Sequence, residues 1–383
     1  MAGTVHWIGT GLSTGGGLRL LAERAPRLVM WGRTVARAED CLERVGLAGR
    51  VECRALSAAA TPVAAVAAAV EAGDVVVSML PATEHTAMAR LCVERGAHFA
   101  CSSYTSPELA ALADEARTAG VVLLTEAGLD PGIDHLFADV LVHEALAAVG
   151  DGPAEVEFTS YCGGIPAVPN DFRYRFSWAP RGVLTALCSP ARYVAGGEPT
   201  TVERPWEATR PHVLGAETFE VYPNRDSVPF IEQYRFPAGW RVGTFVRGTL
   251  RLDGWRQAWA GVFDVLRTGD DERITALAAE LAARYPTTPA DLDRVVLAVV
   301  LSVTPPGGDG YRGEYLLDLT GTETDSAMSR CVSLPLAVAV LDVLSGALPA
   351  GLGRAAPDVA TARRWLDTLA GHGVPFTHAS GTA

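Results

Sequence analysis

The sequence contains no lysine: all 32 of its basic residues are arginine. That absence excludes a lysine Schiff base and a phosphate loop built around lysine. Cysteine is sparse and unpatterned. The seven (Cys41, Cys53, Cys92, Cys101, Cys162, Cys188 and Cys331) are odd in number and form no CxxC pair. Neither a disulfide framework nor a metal centre is expected. Long apolar runs are missing as well. Ala58–Val70 is interrupted by Pro62 and Leu334–Leu348 by Asp342, so both fall short of the ~20 residues that span a bilayer. The opening Met1-Ala-Gly-Thr-Val-His6 has no basic stretch before an apolar core, so no secretory signal is visible. Positive charge is in deficit, at a net −12. That balance argues against nucleic acid or an anionic membrane as a partner. The expected compartment is a reduced cytoplasm.

The chain has 383 residues, 49% of them hydrophobic and 20% charged. That is ordinary globular composition, with room for two or three domains and no internal repeat. Up to about residue 130, short apolar runs alternate with alanine- and leucine-rich stretches. Candidate strands are Val5–Ile8, Leu28–Met30, Val51–Arg54, Val75–Met79, Phe99–Ala100 and Val121–Leu124. Candidate helices are Gly16–Arg24, Ala36–Val45, Pro62–Glu71, His85–Arg95 and Pro107–Thr118. This alternation predicts a parallel sheet with helices on both faces, its strands buried on both sides. From about 150 the texture changes. Val156–Ser160 reads as a strand, Cys162–Pro169 as a loop, the segments around 190–256 as antiparallel strands and Trp255–Arg284 as helical. Tyr315–Leu319 reads as a strand, Leu334–Leu344 as a helix, and the tail from Thr377 as frayed.

The first strand runs into Gly9-Thr-Gly11-Leu-Ser-Thr-Gly15-Gly-Gly17 and then a leucine-rich helix. Strand, glycine loop and helix form the setting of a dinucleotide fingerprint. Gly9 permits the turn, Gly11 the approach of a pyrophosphate, and the helix N-terminus supplies N–H groups. The third glycine is displaced, because Thr14 stands in its place. The second strand ends in Trp31-Gly-Arg33-Thr34, without the carboxylate that binds a ribose 2′-hydroxyl. An arginine with a hydroxyl neighbour suits a 2′-phosphate, which favours NADP(H) over NAD(H). A solvated surface arginine is the alternative for Arg33.

At Glu126-Ala-Gly-Leu-Asp130-Pro-Gly-Ile-Asp-His135 the sequence resembles the saccharopine reductases, the glutamate-forming saccharopine dehydrogenases. Four further stretches agree: Ser103-Tyr104 with Ser106-Pro107; Ser160-Tyr-Cys162-Gly-Gly-Ile-Pro-Ala167; Phe176-Ser-Trp178 with Arg181-Gly-Val183; and Tyr222-Pro-Asn-Arg225-Asp-Ser227 with Arg247-Gly-Thr249-Leu-Arg251. The resemblance runs from about residue 5 to 256. It implies an α/β protein: a Rossmann dinucleotide-binding domain, an α+β substrate and dimerisation domain, and a small helical cap. The expected division is 1–130 with a return at about 326–376; 131–256 with about 311–325; and a helical 257–310. The implied reaction joins L-glutamate and an aldehyde through an imine, with NADPH as reductant, in a homodimer.

The resemblance also implies the site. Asp130, Tyr104 and Cys162 would manage protons. Gly9, Thr10, Gly11, Leu12, Ser13, Arg33, Thr34, Leu80, Pro81, Leu129, Asp130, Pro131 and Trp178 would contact the cofactor. Ser103, Tyr104, Asp130, Arg225, Thr249 and Arg251 would contact an amino-acid or dicarboxylate substrate. Four of them have a plainer alternative. Asp130 suits the cap of a helix starting at Pro131, Cys162 and Trp178 suit packing, and Arg225 suits an ion pair with Asp226 or Asp253. Reduction of a different imine, such as a carboxy-polyamine, and a non-catalytic NADP sensor are the competing functions.

Overall fold

The apolar runs at the start of the chain become strands because their β-branched residues pack on both faces. The computed structural model describes residues 3–382 apart from 60, 177–179 and 289. The chain divides into two units, Met1–Leu136 with Thr324–Val374 and Phe137–Glu323 with Pro375–Ala383.

In the first unit, seven strands among the described residues form a parallel sheet. They are β1 (Thr4–Ile8), β2 (Arg27–Gly32), β3 (Glu52–Ala55), β4 (Val75–Ser78), β5 (His98–Cys101), β6 (Val122–Thr125) and the late strand Gly351–Arg354. Their order is Gly351–Arg354, β6, β5, β4, β1, β2, β3. The chain winds outward in one direction from β1 and in the other from β4. The crevice at the carboxyl ends of these two strands is the place where such sheets bind ligands. Helices α1 (Gly17–Arg24), α2 (Val35–Arg44), α3 (Pro62–Ala67) and α4 (His85–Arg95) cross between the early strands.

The late helix Ala327–Ser345 packs on α1. By length and composition this 19-residue helix is apolar enough to cross a membrane, but most of it is buried inside the protein, as in a core helix. The approach is close. A Cβ on Gly17 would lie 2.0 Å from the Ser333 carbonyl oxygen, and the Gly17 N–H donates to Ser333 Oγ at 2.9 Å. Gly17 therefore permits the tight packing that the fingerprint's third glycine usually provides. Thr14 instead closes the loop, its hydroxyl donating to the Gly9 carbonyl at 3.1 Å.

The second unit is a mixed sheet. Its strands are β7 (Ala154–Pro166), β8 (Ala191–Ala195), β9 (Glu198–Val202), β10 (Arg210–Leu214), β11 (Glu217–Pro223), β12 (Trp240–Leu252), β13 (Asp293–Thr304), β14 (Tyr311–Thr320) and the tail strand Phe376–Thr382. The main path runs β10, β11, β12, β7, β13, β14, tail strand, with β8 and β9 paired off β12. One face packs Tyr161, Phe219, Val246 and Leu250 together. The other carries an aromatic cluster including Tyr174, Trp206, Tyr222, Trp255 and Trp259.

Several expectations need correction. Cys162 lies within β7 rather than in a loop, because the strand continues to Pro166. The glycines there serve strand contact: a Cβ on Gly163 would sit 2.2 Å from the Leu250 carbonyl oxygen. The region 257–310 is not wholly helical, since β13 occupies Asp293–Thr304. The strands within 190–256 pair antiparallel with one another, as expected, and β12 adds a parallel pairing with β7 from outside that stretch. The tail is a strand rather than a frayed end, paired with β14 from Tyr311↔Thr382 to Leu317↔Phe376.

Candidate active site

In the first unit the expected contact residues all follow the carboxyl ends of the parallel strands. Gly9–Ser13 follow β1, Arg33 and Thr34 follow β2, Leu80 and Pro81 follow β4, Ser103 and Tyr104 follow β5, and Leu129–Pro131 follow β6. Gly9 has φ +124°, and a Cβ there would meet Met79 at 2.9 Å. A Cβ on Gly11 would meet nothing within 4 Å, so the backbone at this turn is open to a ligand. The N-terminus of α1 is different. Asp325, Ser329 and Ser333 of the late segment cover it: the Asp325 carboxylate lies 2.9 Å from where a Gly15 Cβ would be and 3.0 Å from where a Gly16 Cβ would be. Arg19 neutralises that carboxylate at 2.6 Å. The Gly17 N–H at that end of α1 is taken by Ser333 Oγ and the Gly9 N–H by the Trp31 carbonyl, which leaves the amides of Thr10–Ser13 for a phosphate.

Arg33 and Thr34 are exposed. The Thr34 hydroxyl accepts from the Arg37 N–H and caps α2. Among the described residues no ion pair engages Arg33 or Arg37, and no carboxylate follows β2. Open backbone at Gly11 and uncommitted guanidinium groups beyond β2 fit a dinucleotide carrying a 2′-phosphate. Replacing Arg33 with alanine is expected to weaken NADPH binding roughly ten- to hundredfold, the worth of a charged hydrogen bond, and NADH binding much less. Fluorescence titration with both cofactors checks this, and equal losses would contradict it.

The loop after β6 is tightly built. The Gly128 N–H donates to the Pro131 carbonyl at 2.9 Å, and those of Ile133 and Asp134 donate to the carbonyls of Gly128 and Leu129. The following helix, Ile133–Val149, starts two residues later than expected, and these carbonyls receive its first N–H groups. The half-buried Asp130 accepts a 2.7 Å hydrogen bond from the Tyr104 hydroxyl. The motif's other charges hold the frame. Glu126, at φ +58°, accepts from the Thr105 N–H and hydroxyl and lies 3.2 Å from His135 Nε2.

Sequence reading passed over His85. Its ring bridges Ser78 Oγ through Nδ1 and Ser103 Oγ through Nε2, both at 3.0 Å. Burial holds its pKa down at about 4. A histidine lowered on folding leaves the unfolded chain to bind the extra proton, so its contribution is intact above pH ~6.5 and is lost as pH falls toward 4. The full loss is about 3 kcal/mol. Thermal unfolding between pH 7 and 4 is expected to show a steeper decline for the wild type than for His85→Gln. Parallel curves would contradict the assignment.

In the second unit, strand register gathers the remaining residues. Tyr222 on β11 pairs with Thr249 on β12, and Thr249 pairs with Cys162 on β7. Arg247, Thr249 and Arg251 alternate along β12 and share a face, while Val246 and Leu250 enter the core on the other. Arg251 is 8% exposed. Its guanidinium lies over the rings of Tyr174, Tyr222 and Trp255 at 4.9–5.7 Å. Among the described residues no carboxylate pairs with it, and its Nε has no hydrogen-bond partner. Arg247, unassigned from sequence, is buried over Phe230 at 4.0 Å. Arg225 is exposed with φ +55°. Its carbonyl accepts from the Arg192 N–H, and the neighbouring Asp226 pairs with Arg192 at 2.8 Å. Trp178 lies outside the described residues.

A doubly wound parallel sheet with an open glycine turn and a basic end to β2 defines a dinucleotide-binding oxidoreductase domain of the NADP type. Residues 5–124 match the model for the saccharopine dehydrogenase NADP binding domain, and residues 128–374 that for the saccharopine dehydrogenase C-terminal domain. The chain belongs to the saccharopine dehydrogenase family. It is 36% identical over 256 residues to a saccharopine dehydrogenase [NADP(+), L-glutamate-forming] of Pyricularia oryzae, which is 61% of this chain and 56% of that protein. Against the Saccharomyces cerevisiae protein of the same description the figures are 38% over 204 residues, 52% of this chain and 44% of that one. The chain thus spans about half the length of these curated relatives. An apo saccharopine dehydrogenase (L-Glu forming) structure from Saccharomyces cerevisiae superposes with a TM-score of 0.81 at 25% identity, covering 99% of this chain and 100% of that one. A homospermidine synthase from Legionella pneumophila, at a TM-score of 0.62 and 11% identity over 100% of this chain and 92% of that one, shares the fold alone.

Proposed function

We propose that this protein catalyses the NADP-dependent, reversible reduction of an imine formed between L-glutamate and an aldehyde, giving saccharopine or a saccharopine-like opine. The observation that carries this reading is Arg251, a buried guanidinium in an aromatic setting with no carboxylate partner among the described residues. A buried cation of this kind is costly unless an anion completes it, and a dicarboxylic amino acid supplies carboxylates. Arg225 and Thr249 complete the binding set, together with Ser103. NADP(H) would be held by Gly9–Ser13, Arg33, Thr34, Leu80, Pro81 and Leu129–Pro131, with Trp178, and when bound it supplies or accepts the hydride.

Asp130 takes or gives the proton of the amine nitrogen, and as a carboxylate it stabilises the substrate ammonium. Tyr104 donates to Asp130 Oδ1 and so fixes the orientation of the carboxylate. Cys162, on the same face of the sheet as Thr249, shares the proton work. We assign the activity to a homodimer, as the family resemblance implies.

A panel of amines tests the reading. The protein, NADPH and 2-aminoadipate 6-semialdehyde are mixed with glutamate, or with a diamine or polyamine in its place, while NADPH absorbance is followed. Consumption that requires glutamate supports the proposal. Consumption only with the polyamine points to the other imine, and binding without consumption points to a sensor.

A further inference from the structure

We propose that His85 is a positioning residue that fixes the loop bearing Ser103 and Tyr104 against the end of β4. The inference rests on the reading of Tyr104 and Asp130 above. Tyr104 sits in the connection that leaves β5, between two gripped neighbours. On one side, Thr105 is tied to the buried Glu126 through its N–H at 3.1 Å and its hydroxyl at 3.0 Å. The Thr105 hydroxyl also lies 2.6 Å from that of Thr125. On the other side, the Ser103 carbonyl accepts from the Glu126 N–H at 3.0 Å. The Ser103 hydroxyl is held by His85 Nε2 at 3.0 Å.

His85 is itself immobilised. It opens α4, it is 3% exposed, and its ring meets the edge of Phe99 at 5.9 Å. Its Nδ1 is anchored to Ser78, the last residue of β4. The Met79 N–H that follows donates to the Ile8 carbonyl at 2.8 Å. The ring therefore links the β1–β4 crevice to the loop that presents the Tyr104 phenol to Asp130. A neutral imidazole donates through one nitrogen and accepts through the other, so both serines stay bound in either tautomer. Burial favours that neutral form.

Two substitutions separate the two ends of the bridge. His85→Asn keeps a group near Nδ1 and the bond to Ser78. His85→Gln reaches the position of Nε2 and the bond to Ser103. We expect His85→Gln to retain kcat within about threefold and His85→Asn to lose about tenfold or more, as slight misplacement of a reacting group does. NADPH affinity should stay within about twofold in both, because neither substitution touches the Gly9–Ser13 turn or Arg33. A second readout needs no turnover. The ring-carbon NMR signal of Tyr104, assigned by its loss in Tyr104→Phe, should shift in His85→Asn and stay in place in His85→Gln. If both variants keep wild-type kcat and an unmoved Tyr104 signal, or fall together in kcat and Tm, the positioning role is wrong. A wild type inactive with glutamate defeats the functional reading, and the Tyr104 signal then decides the role of His85.

Discussion

Asp130→Asn is expected to lower kcat by roughly 10²–10⁴-fold, the worth of a general acid–base group, with little change in stability. Asparagine keeps the size and can still accept from Tyr104, but it loses the negative charge and the proton site. The melting temperature should barely move, because the first N–H groups of Ile133–Val149 bond to the carbonyls of Gly128 and Leu129. A fall of only about tenfold would assign Asp130 to charge stabilisation, with Tyr104 or Cys162 carrying the proton. Comparison with Asp130→Ala is decisive. Should asparagine be fully active while alanine merely melts earlier, Asp130 is a structural residue and the chemical role fails.

Arg251→Met is expected to separate stability from function. Methionine fills similar space among Tyr174, Tyr222 and Trp255 and removes a buried charge that no carboxylate pairs with among the described residues. Such replacements are often neutral or stabilising, by about 1–4 kcal/mol. Binding should suffer in the opposite direction. Losing a charge-assisted hydrogen bond costs about 1.5–3 kcal/mol, so KM for glutamate should rise roughly ten- to hundredfold while NADPH affinity holds. Arg225→Ala should raise the same KM without the gain in Tm, since Arg225 is exposed. A protein that melts earlier and binds glutamate normally would make Arg251 a packing residue.

The parallel sheet was legible because its strands carry apolar β-branched runs that few other structures tolerate. The glycine turn was legible too, but the partner of α1 was not. Gly17 packs against Ser333, more than three hundred residues away, and local spacing carries no trace of that contact. Gly163 and Gly164 read as a loop, whereas Gly163 lets β12 approach β7 closely. The tail strand Phe376–Thr382 is mostly small and polar. It is held by backbone pairing with β14 and by Phe376 and His378 packed on Tyr315, long-range contacts that its local pattern does not announce. Thr249 and Arg251 were reached through the family motif, and Arg247 was missed, although the strand register places all three on one face of β12. His85 left no such signal, because its two serine partners are brought together only by the crossover through α4.

The most direct test runs the proposed reaction backwards. Saccharopine and NADP+ are added to the protein, NADPH formation is followed by absorbance, and the products are identified by mass spectrometry. The account predicts NADPH formed in equal amount with free glutamate, saturating in saccharopine, and nearly abolished in Asp130→Asn. No NADPH, or NADPH formed without release of glutamate, would contradict it.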